Sequence, residues 1–207
     1  FIGASSAVLR DQGGNILINL FFGTSVNAAR GIAMSVNGAV TGFVSNFMTA
    51  LNPQITKNYA TGNYDYMFKL AFQGARLSYY ILLILALPII FTAQYLLHLW
   101  LGVVPDHSVL FAQLVLLFAL SESLANPLVT IMLATGEIRN YQIIVGGLQL
   151  LNLPLSYIFL RIGYPPEIIF VIAIGVSVMC ELARLIMLRK MVKLSIRKFV
   201  KDVYLNV

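Results

Sequence analysis

Charge is scarce in this sequence. Of its 207 residues only 11% are Asp, Glu, Lys or Arg, against about 25% in soluble domains. A chain so poor in charge and 59% hydrophobic falls outside the ordinary soluble class and reads as an integral membrane protein. Cysteine is reduced to Cys180 alone, which excludes an internal disulfide framework and leaves the redox compartment unread. The two histidines, His98 and His107, have no cysteine near them at a metal-ligand spacing, and no cofactor is expected. The chain opens on Phe1 instead of methionine, with no charged n-region and small-residue cleavage site behind it. It is therefore expected to be a piece of a longer protein.

Long apolar runs are what the sequence has in abundance. A spanning helix needs about 20 mostly apolar residues, and by that rule roughly six spans follow one another, near 2–22, 27–52, 70–97, 109–134, 141–161 and 167–188. Between them stand "FGTS", "NPQITKNYATGNYD", "GVVPDHS", "TGEIRN" and "GYPPE", rich in the residues that break helices. The expected fold is an all-α bundle of six transmembrane helices over residues 1–188, followed by a basic tail over 189–207. Lysine and arginine are unevenly placed. Lys57, Lys69, Arg76, Arg139 and the tail cations Arg189, Lys190, Lys193, Arg197, Lys198 and Lys201 share one side, whereas Arg30 and Arg161 lie on the other. The positive-inside rule makes the tail cytoplasmic, and an even number of spans puts the first residues there too. The net charge of +6 is thus a topology signal, and no nucleic-acid partner is expected.

Several spans carry a polar stripe. In the second, Asn27, Arg30, Asn37, Thr41, Ser45, Thr49 and Asn52 share one face, and Ile32, Val36, Val40, Phe43, Val44, Phe47 and Leu51 the opposite one. A helix lying on the membrane surface would set several lysines or arginines on its polar face, so a span lining a wet cavity fits better. The fifth span repeats the pattern with Gln142, Gly146, Gln149, Asn152 and Ser156. The fourth has Glu122, Asn126 and Thr130 at four-residue steps, with Pro127 expected to kink it. The third and sixth contain "YYILLILALPIIF" and "IIFVIAIGV" and are expected at the lipid-facing periphery.

The first span sets Arg10 beside Asp11, with Asp11, Asn15 and Asn19 stepping by four. Neighbours on a helix point about 100° apart, so these two charges are expected to be poor partners for each other. Gly13 and Gly14 follow directly, where a broken helix is expected to line the cavity. Intramembrane charge is costly and faces the bundle interior or water. Glu181 and Arg184, three apart near the end of the last span, read as a local pair. His107 reads as a solvated loop residue beside Asp106, and His98, Tyr79, Tyr80, Tyr95 and Trp100 as interfacial residues. In the tail Arg189, Lys190, Lys193, Arg197 and Lys201 gather on one helical face, with Ile196, Phe199 and Val203 away from it, which fits attraction to anionic lipid.

The stretches "GGNILINLFFGTSVNAARGIA" and "FVSNFMTALNPQITKNYATGN" resemble the seventh and eighth spans of Wzx-like polysaccharide flippases, members of the multidrug, oligosaccharidyl-lipid and polysaccharide exporter superfamily that also contains the MATE drug exporters. The resemblance runs over nearly the whole chain. It implies the C-terminal lobe of a two-lobe transporter of the bacterial inner membrane, working by alternating access with an N-terminal lobe as its partner. The implied cargo is an undecaprenyl-diphosphate-linked oligosaccharide destined for surface polysaccharide. On that reading Arg10 holds phosphate, because its planar fork matches phosphate oxygens, and Arg30, about 10 Å higher along the bundle, makes a relay. Asn37, Thr41, Ser45, Gln149 and Asn152 face sugar hydroxyls, and Asn15 and Asn19 belong to the same substrate site. Asp11 and Glu122 occupy the spans on which some MATE relatives carry coupling-ion acids, which implies a proton or sodium as coupling ion. A cation-coupled drug exporter is the alternative. A membrane-embedded enzyme stands third, since no aspartate-rich metal motif, no G-x-S-x-G and no paired intramembrane histidines occur.

Overall fold

Without water to solvate the backbone, an apolar chain satisfies its own N–H and C=O groups by coiling into helices. The computed structural model describes the backbone of residues 2–205 and the side chains of residues 8–205; Phe1 and the last two residues of the expected tail lie outside the described residues. The order is α1 (Ile2–Ala60), α2 (Tyr64–Leu101), α3 (Ser108–Ala134), α4 (Ile138–Leu150), α5 (Asn152–Ile162), α6 (Ile168–Val192), the short α7 (Ile196–Phe199) and a π-helical turn, Val200–Tyr204. No strand occurs among the described residues. Five stretches are long and apolar enough to cross a membrane: Val8–Ala60, Tyr64–Leu101, Ser108–Ala134, Ile138–Ile162 and Ile168–Val192. The chain is an all-α protein with the helices of a multi-pass membrane protein.

The expected first and second spans join in α1, which has 59 residues. Straight, it would extend about 90 Å, three times the apolar thickness of a bilayer. It is not straight. Gly23 takes φ 84 and ψ −176, and the Arg30 guanidinium donates to the Asn15 side-chain carbonyl across 15 positions, which in an unbroken helix would stand about 22 Å apart. The helix therefore doubles back at Gly23 into two limbs, and Leu17 and Ile18 of the first share a buried cluster with Ala29 and Ala33 of the second. The break expected at Gly13–Gly14 is absent, because helical hydrogen bonding runs through both. Those glycines serve close approach. A Cβ on Gly13 would stand 2.0 Å from Leu153, and one on Gly14 3.1 Å from the Arg30 guanidinium.

At the centre is α3, packed on α1, α2 and α6, with Phe111, Leu116, Leu128 and Ile131 fully buried. Pro127 sits in α3 without moving any residue out of helical dihedrals. The departure falls in α2 at Thr92 (φ −110, ψ 16), four residues past Pro88, whose carbonyl accepts the Thr92 hydroxyl at 2.8 Å. A proline also explains why the fifth expected span is two helices. Pro154 cannot donate to the Leu150 carbonyl, and α5 restarts after Leu151 with Pro154 in its first turn, where proline is tolerated.

Peripheral placement of the sixth span holds for one face, where Val171, Val178, Leu182 and Ile186 point outward, and is corrected for the other. Its helix, α6, packs on α3, α4 and α5 and buries Ser177, Cys180, Glu181 and Arg184, because Ser177, Glu181 and Arg184 form a stripe at steps of four and three that has to turn inward. On the third span, α2 likewise presents Ile84, Phe91 and Leu99 outward. The tail does not continue α6 as one helical face. Lys193 adopts a left-handed conformation (φ 55), the chain turns, and Leu194, Phe199 and Val203 bury themselves in the same cluster as Met67, Ala71 and Phe72. His107 is exposed as expected and also meets the Glu167 carboxylate, tying the start of α3 to that of α6.

The reversal makes alanine costly at Gly23, whose φ is positive. Gly23→Ala forces an L side chain into a region that costs about 1–3 kcal/mol, whereas Gly31, which has open space where a Cβ would go and no positive φ, accepts alanine without loss. Thermal unfolding of the purified protein in detergent is expected to separate the two; equal midpoints would contradict the reversal.

Candidate functional site

Placing arginine and carboxylate side chains within apolar helices is tolerated where other polar groups or water surround them. The two limbs of α1 and helix α3 supply that company around two adjoining cavities, of about 660 Å³ and about 180 Å³. Arg10, Asn37 and Phe118 line both, so Arg10 stands where one opens toward the other.

The long Arg10 side chain overcomes the 100° between neighbours. Its Nε donates to Asp11 Oδ1 at 3.1 Å, which corrects the expectation that the two are poor partners. The guanidinium carbon also lies 5.5 Å from the centroid of the Phe118 ring, a cation–π arrangement that holds its plane. Asp11 occupies Nε, and among the described residues no protein acceptor is taken by the two terminal nitrogens of Arg10.

In the larger cavity the four-residue step of the second limb holds. Asn37, Thr41, Ser45, Thr49 and Asn52 line one wall, and Glu122, Ser123, Asn126 and Thr130 of α3 line the facing one. The walls touch where the Thr130 hydroxyl donates to Asn52 Oδ1 at 2.8 Å. Thr41 and Thr49 give their hydroxyl protons to the carbonyls of Asn37 (2.7 Å) and Ser45 (2.8 Å). That leaves their oxygen lone pairs as acceptors toward the cavity.

The smaller cavity gathers Asp11, Arg30, Asn152 and Ser156. Arg30 is 6% exposed; it lies across Gly14 and donates to Asn15, while its Nε has no protein partner. Asn37 Oδ1 and Asn152 Oδ1 are likewise buried and unpartnered. Buried polar groups are as a rule satisfied, so three orphaned atoms around one small cavity mark a place where a polar ligand or water completes the set.

Not every expected residue arrives there. Asn19 is exposed and lines neither cavity. Gln149 lines neither and acts through its backbone carbonyl, which accepts from Asn152 Nδ2 at 2.9 Å. Asn15 lies outside the walls and positions Arg30.

Glu122 has partners the sequence reading missed. It accepts from the Ser177 hydroxyl and faces Arg184 Nη1 at 3.9 Å, with Arg184 3% and Glu122 30% exposed at the side chain. The expected Glu181–Arg184 pair does not form within 4.0 Å. Glu181 turns instead toward Tyr204 of the tail, and burial together with this neighbour pushes the Tyr204 phenol above its ordinary range. The signal for Arg184 was the stripe Ser177–Glu181–Arg184; Phe118 left none, since one phenylalanine in an apolar run looks like any other.

Fold and site together define a multi-pass helical membrane protein with a polar internal cavity that presents two arginines and two carboxylates. Compared with protein-family models, curated proteins and solved structures, the chain matches none.

The Glu122–Arg184 pair predicts a stability effect. Removing one partner of a fully buried pair costs about 3–5 kcal/mol, and the partial exposure of Glu122 reduces this, so Glu122→Gln is expected to cost about 2 kcal/mol. Adding Arg184→Met, which removes the orphaned charge, is expected to return most of the loss in a thermal melt. A double variant no more stable than Glu122→Gln would reject the pairing.

Proposed function

We propose that this chain is the C-terminal lobe of a flippase that carries an undecaprenyl-diphosphate-linked oligosaccharide across the bacterial inner membrane by alternating access. The observation that carries the reading is Arg10, at the junction of a large cavity walled by neutral polar groups and a small one holding Arg30. A diphosphate joins a lipid to a glycan, and one guanidinium at the mouth of a hydroxyl-lined chamber with a second in the adjoining cavity suits that joint. Phosphate takes the unoccupied nitrogens of Arg10 and the orphaned Nε of Arg30. Sugar hydroxyls find acceptors on Thr41, Thr49 and Asn37, and Ser45 and Asn152 extend the polar surface.

Counting each limb of α1 as one span, and α4 with α5 as one, gives six spans with both ends on one side. The lysine and arginine distribution makes that side cytoplasmic, where the exposed cations of the tail meet anionic lipid. Alternating access requires a second lobe across the open side of the larger cavity.

A cation-coupled drug exporter is the second reading, favoured by the presence of Asp11 and Glu122 on the cavity walls. Against it, each carboxylate already faces an arginine, Arg10 and Arg184 respectively. A proton or sodium ion would act by competing with those arginines as the cavity changes sides.

Replacing Arg10 distinguishes charge from geometry. With purified protein and undecaprenyl diphosphate as the probe, Arg10→Ala is expected to weaken binding about a hundredfold and Arg10→Lys about tenfold, as lysine keeps the charge and loses the fork. Undecaprenyl monophosphate is expected to discriminate less among the three proteins. Undiminished binding by a folded Arg10→Ala variant would remove Arg10 from the phosphate site and the flippase reading with it.

A further inference from the structure

At the end of the bundle where α2 begins and α6 runs into the tail lies another charged cavity, which shares no lining residue with the two around Arg10. Asp65, Lys69, Gln73 and Arg76 succeed one another on α2 at steps of four, four and three, so they form a single stripe. Phe199 of the tail packs edge-on against Phe72 with ring centroids 5.4 Å apart. That contact brings Lys198 and Asp202 opposite the stripe, and these six residues with Phe72 enclose about 340 Å³. Three cations and two carboxylates thus surround one space. Among the described residues, the ion pairs within 4.0 Å are Arg10–Asp11, His107–Glu167 and Arg184–Glu122, so the cations of this cavity are not paired with its carboxylates.

Opposite charges held around one space without neutralising each other complement a ligand that itself bears both signs. Depth narrows its identity. The third span is expected from about 70, but Gln73 and Arg76 interrupt its start, and the unbroken apolar run "LSYYILLILALPIIF" begins at Leu77 directly after Arg76, with Tyr79 and Tyr80 near its start, the mark of a membrane boundary. At about 1.5 Å per residue, Arg76 and Gln73 lie about 2 to 6 Å outside that run and Lys69 about 12 Å, at the level of the headgroup layer and its outer rim. Asp65 lies one turn farther out. Along the stripe the cations are nearer the apolar zone and the carboxylate is farther from it. A phospholipid headgroup has the same order, phosphate next to the glycerol and amine beyond it.

We propose that this cavity binds the headgroup of a membrane phospholipid bearing a primary amine, with Lys69, Arg76 and Lys198 on the phosphate and Asp65 and Asp202 on the ammonium. A primary ammonium donates up to three hydrogen bonds to carboxylates, whereas a trimethylammonium donates none; the site therefore discriminates between the two. The lipid bridges α2 and the tail, and it stabilises the docked tail in proportion to its occupancy. This inference depends on the membrane setting alone and not on the cargo of the Arg10 cavity.

Native mass spectrometry of the purified chain in detergent, titrated with dioctanoyl phosphatidylethanolamine, phosphatidylcholine and phosphatidylglycerol, tests it. Phosphatidylethanolamine is expected to bind about tenfold more tightly than either of the others. Asp65→Asn with Asp202→Asn is expected to abolish its advantage over phosphatidylcholine, and Lys69→Gln with Lys198→Gln to weaken both about tenfold. All four positions are at the surface or partly exposed, so the variants are expected to melt with the parent. Free O-phosphoethanolamine is expected to bind far more weakly than the lipid, since it has no apolar chains to anchor it. Equal binding of the two amine-bearing probes would assign the site to a soluble phosphoamine and overturn the lipid proposal. Tighter binding of phosphatidylglycerol, or an ethanolamine advantage that survives loss of both carboxylates, would overturn it as well.

Discussion

The whole arrangement depends on housing charge inside apolar helices. Arg10, Asp11, Arg30, Glu122 and Arg184 all lie within stretches long and apolar enough to cross a membrane, and a bare charge in hydrocarbon is too costly to keep. Each has been given company: Arg10 with Asp11 and the Phe118 ring, Arg30 with Asn15, Glu122 with Ser177 and Arg184. The polar stripes of the second limb of α1 and of α3 meet where Thr130 donates to Asn52, and the space between the stripes is the larger cavity.

Small residues make the pairings geometrically available. Gly23 admits the reversal that sets Arg30 beside Asn15, and Gly14 leaves room for the guanidinium to lie across the first limb. Neither residue touches a ligand-facing position by a side chain, yet both decide which groups the cavity contains. Arg184 is served differently. Its nearest carboxylate is 3.9 Å away, and Nε and Nη1 remain without hydrogen-bond partners, so the pairing satisfies this arginine only in part.

The helical class and the cavity wall were legible because both rest on periodicity. Long apolar runs mark spans, and the step from Asn37 to Thr49 carries directly into the wall of the larger cavity. What failed were inferences that needed a partner from elsewhere. Glu181 and Arg184 have the spacing of a local pair, but Glu122 on α3 competes for the arginine. Asn19 and Gln149 keep the register of their stripes yet fall beyond the cavity walls, since a stripe tells direction and not depth. Gly13 and Gly14 looked like a break, and so did Gly23 within "FGTS"; only the last adopts positive φ, which no local rule distinguishes from tight packing. The basic tail, read as one helical face of cations drawn to anionic lipid, folds back, because Phe199 and Val203 find an apolar seat on α2 that its sequence alone could not reveal.

The central claim is that the stripe on the second limb of α1 faces water within the membrane while its opposite face meets apolar surroundings. Single cysteines at Ser45 and Phe43, introduced in native membranes with Cys180 replaced by serine, test it directly, since maleimide reacts with the thiolate and a thiolate forms only where water reaches. Ser45 lines the larger cavity, and Phe43, 60% exposed, lines neither of the cavities around Arg10. The account predicts rapid labelling at position 45 and little at 43. Equal rates at the two positions, or faster labelling at 43, would contradict it.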